Sequence, residues 1–211
     1  MQKTKEIYLV RHGQTDFNLK GIVQGSGVDS DLNATGQQQA EAFFKAYRDI
    51  PFDKIYTSRL KRSQQSVQRF MDLGIPWEAH QGLNEINWGY REGKAITPEE
   101  NEYYYSVIDA WNRGETTLRI DGGESPQDVA DRQQPVLELM LSRPEEERIL
   151  VCMHGRAMRI LLCLMLHYEL RCMDTFEHHN LGLYKLNYTG SMFSVERYND
   201  IAHLQKVKSF G

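Results

Sequence analysis

A formal net charge of −4 over 211 residues leaves no basic surplus, which excludes a nucleic-acid or anionic-membrane surface as the main partner. The length suffices for one packed core burying roughly 70% of the unfolded surface. No apolar stretch approaches the ~20 residues of a membrane span and no basic start leads into an apolar leader, so a cytoplasmic protein is expected. Cys152, Cys163 and Cys172 form an odd set without metal-ligand spacing and are expected to remain reduced.

Ile7 to Val10 reads as a buried strand that stops abruptly at Arg11-His12-Gly13. In open α/β sheets ligands collect at the carboxyl ends of strands, where this pair stands. Asp16 to Asn33 is polar, carries Gly21, Gly25 and Gly27, and shows neither helical nor strand period; it predicts a long functional loop. Thr35, three residues before Gln38, fits a capping box for a helix with Ala40, Phe43, Phe44 and Tyr47 on one face, ending before Pro51.

Phe52 to Thr57 predicts a second strand, with Ser58 as N-cap of a helix running through Arg62 and Val67 to Gly74. Arg59 and Arg62 share one side of its first turn. A cationic start opposes the helix dipole, and a bound anion would relieve it. Arg59 is expected at the surface, outside any site. A short strand is predicted at Trp77 to His80, then an ordered irregular loop, Leu83 to Gly93, holding Glu85.

Thr97 to Arg113 is helical, polar and rich in tyrosine, and predicts a small helical cap inserted at about 94–121. Ser125 as N-cap and Pro126 at the first helical position open a helix to Ser142, stopped by Pro144. Arg148 to Met153 repeats the opening design: an apolar strand ends in His154-Gly155, and a helix from Arg156 to Leu166 follows. If the two strands are parallel neighbours, both imidazoles emerge on one sheet edge. Leu181 to Tyr188 and Met192 to Tyr198 predict a hairpin on the sheet edge, turning at Thr189-Gly190-Ser191. The expectation is one α/β domain over 1–211.

Arg11, His12, Arg62, Glu85 and His154 therefore converge on one edge. Two arginines that cannot lose their protons suit a phosphate or a carboxylate, and two histidines with a carboxylate supply a nucleophile and a proton donor. Two His and one carboxylate also form a metal ligand set, but the permanent positive charges beside them repel a divalent cation and attract a phosphate dianion.

Arg11-His12-Gly13 after a strand, then Thr15, Asn18 and Gln24-Gly25, resemble the histidine phosphatase superfamily, the phosphoglycerate mutase-like family. Ser58-x-Leu60-x-Arg62, Leu83-x-Glu85-x-x-x-Gly89 with Glu92-Gly93, Gly122-Gly123-Glu124-Ser125 and His154-Gly155 continue the likeness over nearly the whole chain. The resemblance implies a three-layer α/β sandwich whose mostly parallel central sheet has an antiparallel edge strand. It also implies that His12 attacks phosphorus through Nε2, becoming phosphohistidine, and that Glu85 protonates the leaving oxygen and then activates water. Arg11, Arg62 and His154, with Asn18, would hold the phosphoryl oxygens, and Thr15, Gln24 and Gly155 would complete the phosphate site.

No metal or organic cofactor is implied, because the arginines supply the charge stabilisation. The partner is a small-molecule phosphate ester, and a homodimer through an edge strand is left open. The modest insertion and the aromatic-Glu-Gly ending of the Glu85 loop resemble the phosphatase branch more than the mutases. Arg91 and Arg156 depart from the pattern; Arg156 either adds charge beside the pocket or points to solvent. His178-His179 is a candidate pocket lining, Trp77 and Trp88 are expected to anchor loops, and Tyr103 to Tyr105 either pack the cap or set substrate preference.

Overall fold

The computed structural model describes residues 4–95, 97–205 and 207. Residues 1–3 and 208–211, the ends of the expected 1–211 domain, lie outside the described residues. In chain order the elements are β1 (Lys5–Arg11), α1 (Asp16–Lys20), α2 (Ala34–Tyr47), β2 (Lys54–Thr57), α3 (Lys61–Met71) and β3 (Trp77–Ala79). They continue with α4 (Pro98–Asn112), α5 (Pro126–Ser142), β4 (Arg148–Met153), α6 (Gly155–Leu166), β5 (Leu183–Tyr188) and β6 (Phe193–Asp200).

Side-chain alternation makes the three layers. Ile7 and Leu9 of β1, with Ile149, Val151 and Met153 of β4, face a core built from α4, α5 and α6. Tyr8, Val10, Leu150 and Cys152 face the opposite core, filled by Phe43, Phe44 and Tyr47 of α2 and Val67 and Phe70 of α3. Strands buried on both faces read as unbroken apolar runs, which is why β1 and β4 stand out in the sequence.

Among the described residues the sheet has six strands in the order β3-β2-β4-β1-β5-β6. β1, β2, β3 and β4 are mutually parallel, so the two histidine-bearing strands are neighbours, with Arg11 level with Met153. β5 runs against β1, and β6 against β5. The reversed strand thus sits one place in from the edge, because the hairpin returns β6 along its outer side.

Local capping corrects three expectations. Inside the expected loop after Thr15 lies α1, capped by Thr15, whose Oγ1 accepts from Asn18 N–H while Asn18 Oδ1 accepts from Thr15 N–H. α2 is capped by Asn33 and not by Thr35: Asn33 is pinned by two hydrogen bonds to Gln14, and its side chain accepts from Gly36 N–H at 2.9 Å. α3 begins after Leu60 and ends at Met71, short of Gly74, and Ser58 is not its N-cap. The Ser58 hydroxyl is committed to His154 and Ser63, and among the described residues the one backbone N–H that it accepts from is that of Leu60.

Candidate active site

The ends of β1, β2 and β4 coincide, and the residues that follow them, His12, Ser58 and His154, meet there. His12 N–H donates to Met153 O at 2.9 Å, and Ser58 N–H donates to Cys152 O. Gly13 donates to Ser66 Oγ on α3, and a Cβ built on Gly13 would lie 2.8 Å from Gly36 O. The chain turns away from β1 against bare backbone, which only glycine permits at both positions.

This turn fixes the His12 ring. Nδ1 lies 2.7 Å from Gly13 O, a pure acceptor, so the ring proton sits on Nδ1 and Nε2 keeps its lone pair. Burial first, then the charges of Arg62 and Arg11, holds the imidazole well below its usual pKa and therefore neutral. The His154 ring lies alongside, its centroid 5.1 Å away, and is held neutral by burial and Arg62. Arg62 Nε donates to His154 Nδ1 at 3.2 Å, so His154 carries its proton on Nε2 and donates it to Ser58 Oγ at 2.7 Å. Both His154 nitrogens are thus bonded within the protein.

Arg62 is wholly buried on the first turn of α3. Its Nη1 and Nη2 donate to Val28 O and Gly25 O, so the polar loop folds over the guanidinium and fixes it. With the Gln24 amide oriented to suit its neighbours, its oxygen accepts from Arg62 Nε at 2.7 Å and its nitrogen donates to Thr15 Oγ1. Burial lowers Arg62 to about 10, opposed by Glu85, and it stays charged at neutral pH. Arg11, lowered to about 10 by burial, donates from Nη1 toward His178 Nδ1 at 3.2 Å. Its Nε is a buried donor without a hydrogen-bond partner.

Glu85 reaches the same edge from its loop. Oε1 accepts from Ile86 and Ala157 N–H, both at 2.9 Å, and Oε2 accepts from Arg156 N–H at 3.1 Å. The carboxylate caps the first turn of α6, where the dipole favours negative charge. Arg132 of α5 clamps the loop by donating to Gly82 O, Glu85 O and the carboxylate of Glu124, which in turn accepts from Asn87 N–H.

The structure thus gathers Arg11, His12, Arg62, Glu85 and His154. Thr15 and Gln24 buttress the Arg62 side. Asn18, half-buried, lies 3.4 Å from Asn180 Nδ2, whose other contact is the His12 carbonyl at 2.9 Å. A Cβ on Gly155 would meet the His178 ring at 2.8 Å, so His178 does line this edge, while His179 bonds to Asn199. Arg156 is buried, paired with Asp174 and stacked over Trp111, and does not point to solvent. Trp88 is a buried anchor, whereas Trp77 is largely exposed. Among the described residues no group of three His, Cys, Asp or Glu side chains is placed to hold a metal ion.

Sequence reasoning missed Asn180, the Arg132–Glu124 clamp and the hydroxyl pair Ser58–Ser63. Glu124 stood in the family-like stretch, but its distant partner left no local mark.

The sequence profile described as the histidine phosphatase superfamily (branch 1) matches residues 7–201. The chain belongs to that superfamily. It is similar to a probable phosphoglycerate mutase GpmB of Yersinia enterocolitica, 30% identical over 208 residues and 94% of each chain. It also resembles 6-phosphofructo-2-kinase/fructose-2,6-bisphosphatase 1 of Mus musculus, 35% identical over 165 residues, 77% of this chain and 33% of that longer protein. Among solved structures, Bacillus stearothermophilus YhfR has a TM-score of 0.83 at 26% identity, covering 95% of this chain and 100% of that one. The alpha-ribazole phosphatase of Shigella flexneri has a TM-score of 0.82 at 20% identity, over 92% and 96%, a likeness of fold. This histidine phosphatase superfamily member has, among its described residues, no helix long and apolar enough to cross a membrane.

Proposed function

We infer that the protein hydrolyses small-molecule phosphate monoesters through a covalent phosphohistidine on His12. The observation that carries this reading is the Nδ1 bond to Gly13 O, which leaves Nε2 of a buried, neutral imidazole as the nucleophilic atom, under the charges of Arg62 and Arg11. The unpartnered Arg11 Nε supports it, since a buried donor without an acceptor suits a phosphoryl oxygen.

In the first step the Nε2 lone pair forms the N–P bond, the ester P–O bond breaks, and a Glu85 proton goes to the departing oxygen. In the second, Glu85 takes a proton from water, the P–O bond forms, and the P–N bond breaks to release phosphate. Of the two Glu85 oxygens, Oε2 has one bond at 3.1 Å against two at 2.9 Å for Oε1, and is the freer to handle the proton. Arg11 and Arg62 stabilise the equatorial oxygens. His154 acts through Arg62, whose guanidinium it orients. A cytoplasmic setting belongs to the same proposal and is supported by three free thiols.

A labelled phosphomonoester, mixed and quenched, is expected to leave an acid-labile, base-stable phosphoenzyme that His12→Ala abolishes. Label trapped on serine or cysteine refutes the mechanism. The names of the GpmB relatives favour a second reading, a phosphoglycerate mutase; isomerisation of phosphoglycerate faster than phosphate release would establish it.

A further inference from the structure

Beside the phosphate-facing groups lies a second concavity. A cavity of about 220 Å³ sits under α4, walled by Val23, Trp88, Tyr104 and Tyr105. Its polar lining is Gln24, Arg91 and Asn101. Gln24 belongs to both places, since its amide oxygen bonds Arg62 while its side chain forms part of the cavity wall. A group in this cavity is therefore one side chain away from the groups that face phosphate.

The wall is held by backbone and not left to side-chain chance. Val23 exchanges hydrogen bonds with Gly93 and Lys94, and Ile22 bridges Ala95. Glu92 accepts from Trp88 N–H and rests on Gly25 and Gly27, where any Cβ would collide with its carboxylate. The Trp88 and Tyr104 rings stand 5.5 Å apart, Tyr104 and Tyr105 5.6 Å apart, and the Arg91 guanidinium lies 5.0 Å from the Tyr104 centroid.

Chemistry and size narrow the occupant. The volume falls below the ~300–1,000 Å³ typical of pockets for drug-sized molecules, so it suits one ring system. A polyol would bring several hydroxyls to a surface of rings and leave them unpaired. Gln24 is turned to Arg62, and Arg91 is stacked on Tyr104. Asn101 is left to meet a polar edge, while the rings offer faces to stack on.

We propose that this cavity receives the leaving group of the substrate and selects a planar ring, so that the preferred substrates are aryl or heteroaryl phosphomonoesters. The proposal rests on the phosphomonoesterase reading and names its substrate class. Tyr105, 57% exposed, and Asn101, half-buried, are the specificity residues that can be replaced without opening the core.

Non-hydrolysable phosphonates separate binding from leaving-group reactivity. Calorimetry on the whole protein is expected to give naphthylmethylphosphonate at least tenfold tighter than 3,4-dihydroxybutylphosphonate. In Tyr105→Ala and Asn101→Ala, each checked for native circular dichroism, that ratio is expected to fall, below threefold in the double variant. Equal or reversed affinities in the parent protein, or a ratio that survives in the double variant, overturn the ring-selective cavity and leave the phosphomonoesterase reading standing. Failure of inorganic phosphate, vanadate and both phosphonates to bind refutes both.

Discussion

At the starts of β1, β2 and β4, Lys5, Lys54 and Arg143 meet Glu78 and Glu146, whereas at the ends of the same strands Glu85 is the carboxylate that acts on both Arg11 and Arg62, with Asp29 and Glu92 acting more weakly on Arg62. In the first cluster Arg143 donates to Glu78 at 2.8 Å and to the Tyr56 hydroxyl at 3.0 Å, and Tyr56 donates to Glu146. Arg143 and Lys54 together pull Glu78 down to about 2. In the second, Glu85 is spent on the first turn of α6, and an Arg11 donor is left over. Charges neutralised by their neighbours build architecture; a buried guanidinium donor left over at a strand end suits an anion.

The largest test of this contrast is His12→Ala, expected to lower kcat by on the order of 10⁴-fold while leaving the melting transition in place. Retained turnover breaks the assignment of chemistry to this end. Arg143→Met, at the other end, should do the reverse: about 2 kcal/mol lost in urea unfolding, because the buried Tyr56 and Glu146 lose a donor, with kcat kept. A drop in kcat comparable to that of His12→Ala would erase the distinction.

Proton uptake sharpens the comparison next. Native His12 and His154 are held neutral far below 6.5, so just under that pH the unfolded chain binds protons that the native one refuses. Stability is then full above about pH 6.5 and declines as pH falls, by about 1.4 kcal/mol per pH unit for each histidine. His12→Asn should remove one such increment from the slope of unfolding free energy against pH between 6 and 5, and an unchanged slope contradicts the neutral ring. The smallest effect is expected for Arg132→Met, which frees the Glu85 loop: kcat falls about tenfold with KM little changed in steady-state assays. Equal losses in kcat and affinity would mean that the clamp shapes binding instead.

How much of this was legible in the sequence depended on distance along the chain. β1 and β4 announced themselves because strands buried on both faces are unbroken apolar runs ending in charge, and α5 because Ser125-Pro126 is a local start signal. Thr35 and Ser58 misled as caps because each satisfied the local rule, while Gln14 and His154, remote partners, decided the outcome. Asn180, 168 residues from the carbonyl that it holds, had no spacing to betray it. The family resemblance supplied what pattern did not, placing Glu85, which alone reads as an ordinary loop carboxylate. It gave no account of Arg156, whose buried pair with Asp174 belongs to this chain's own packing.

The contact between Gly13 and Gly36 reaches beyond conformation. A side chain on Gly13 strikes the Gly36 carbonyl, and one on Gly36 strikes Gln14 O, so each residue is confined by main chain that cannot be trimmed by substitution elsewhere. Laboratory evolution of new specificity should therefore run through the roof helix α4 and leave this hinge after His12 untouched, however strong the selection.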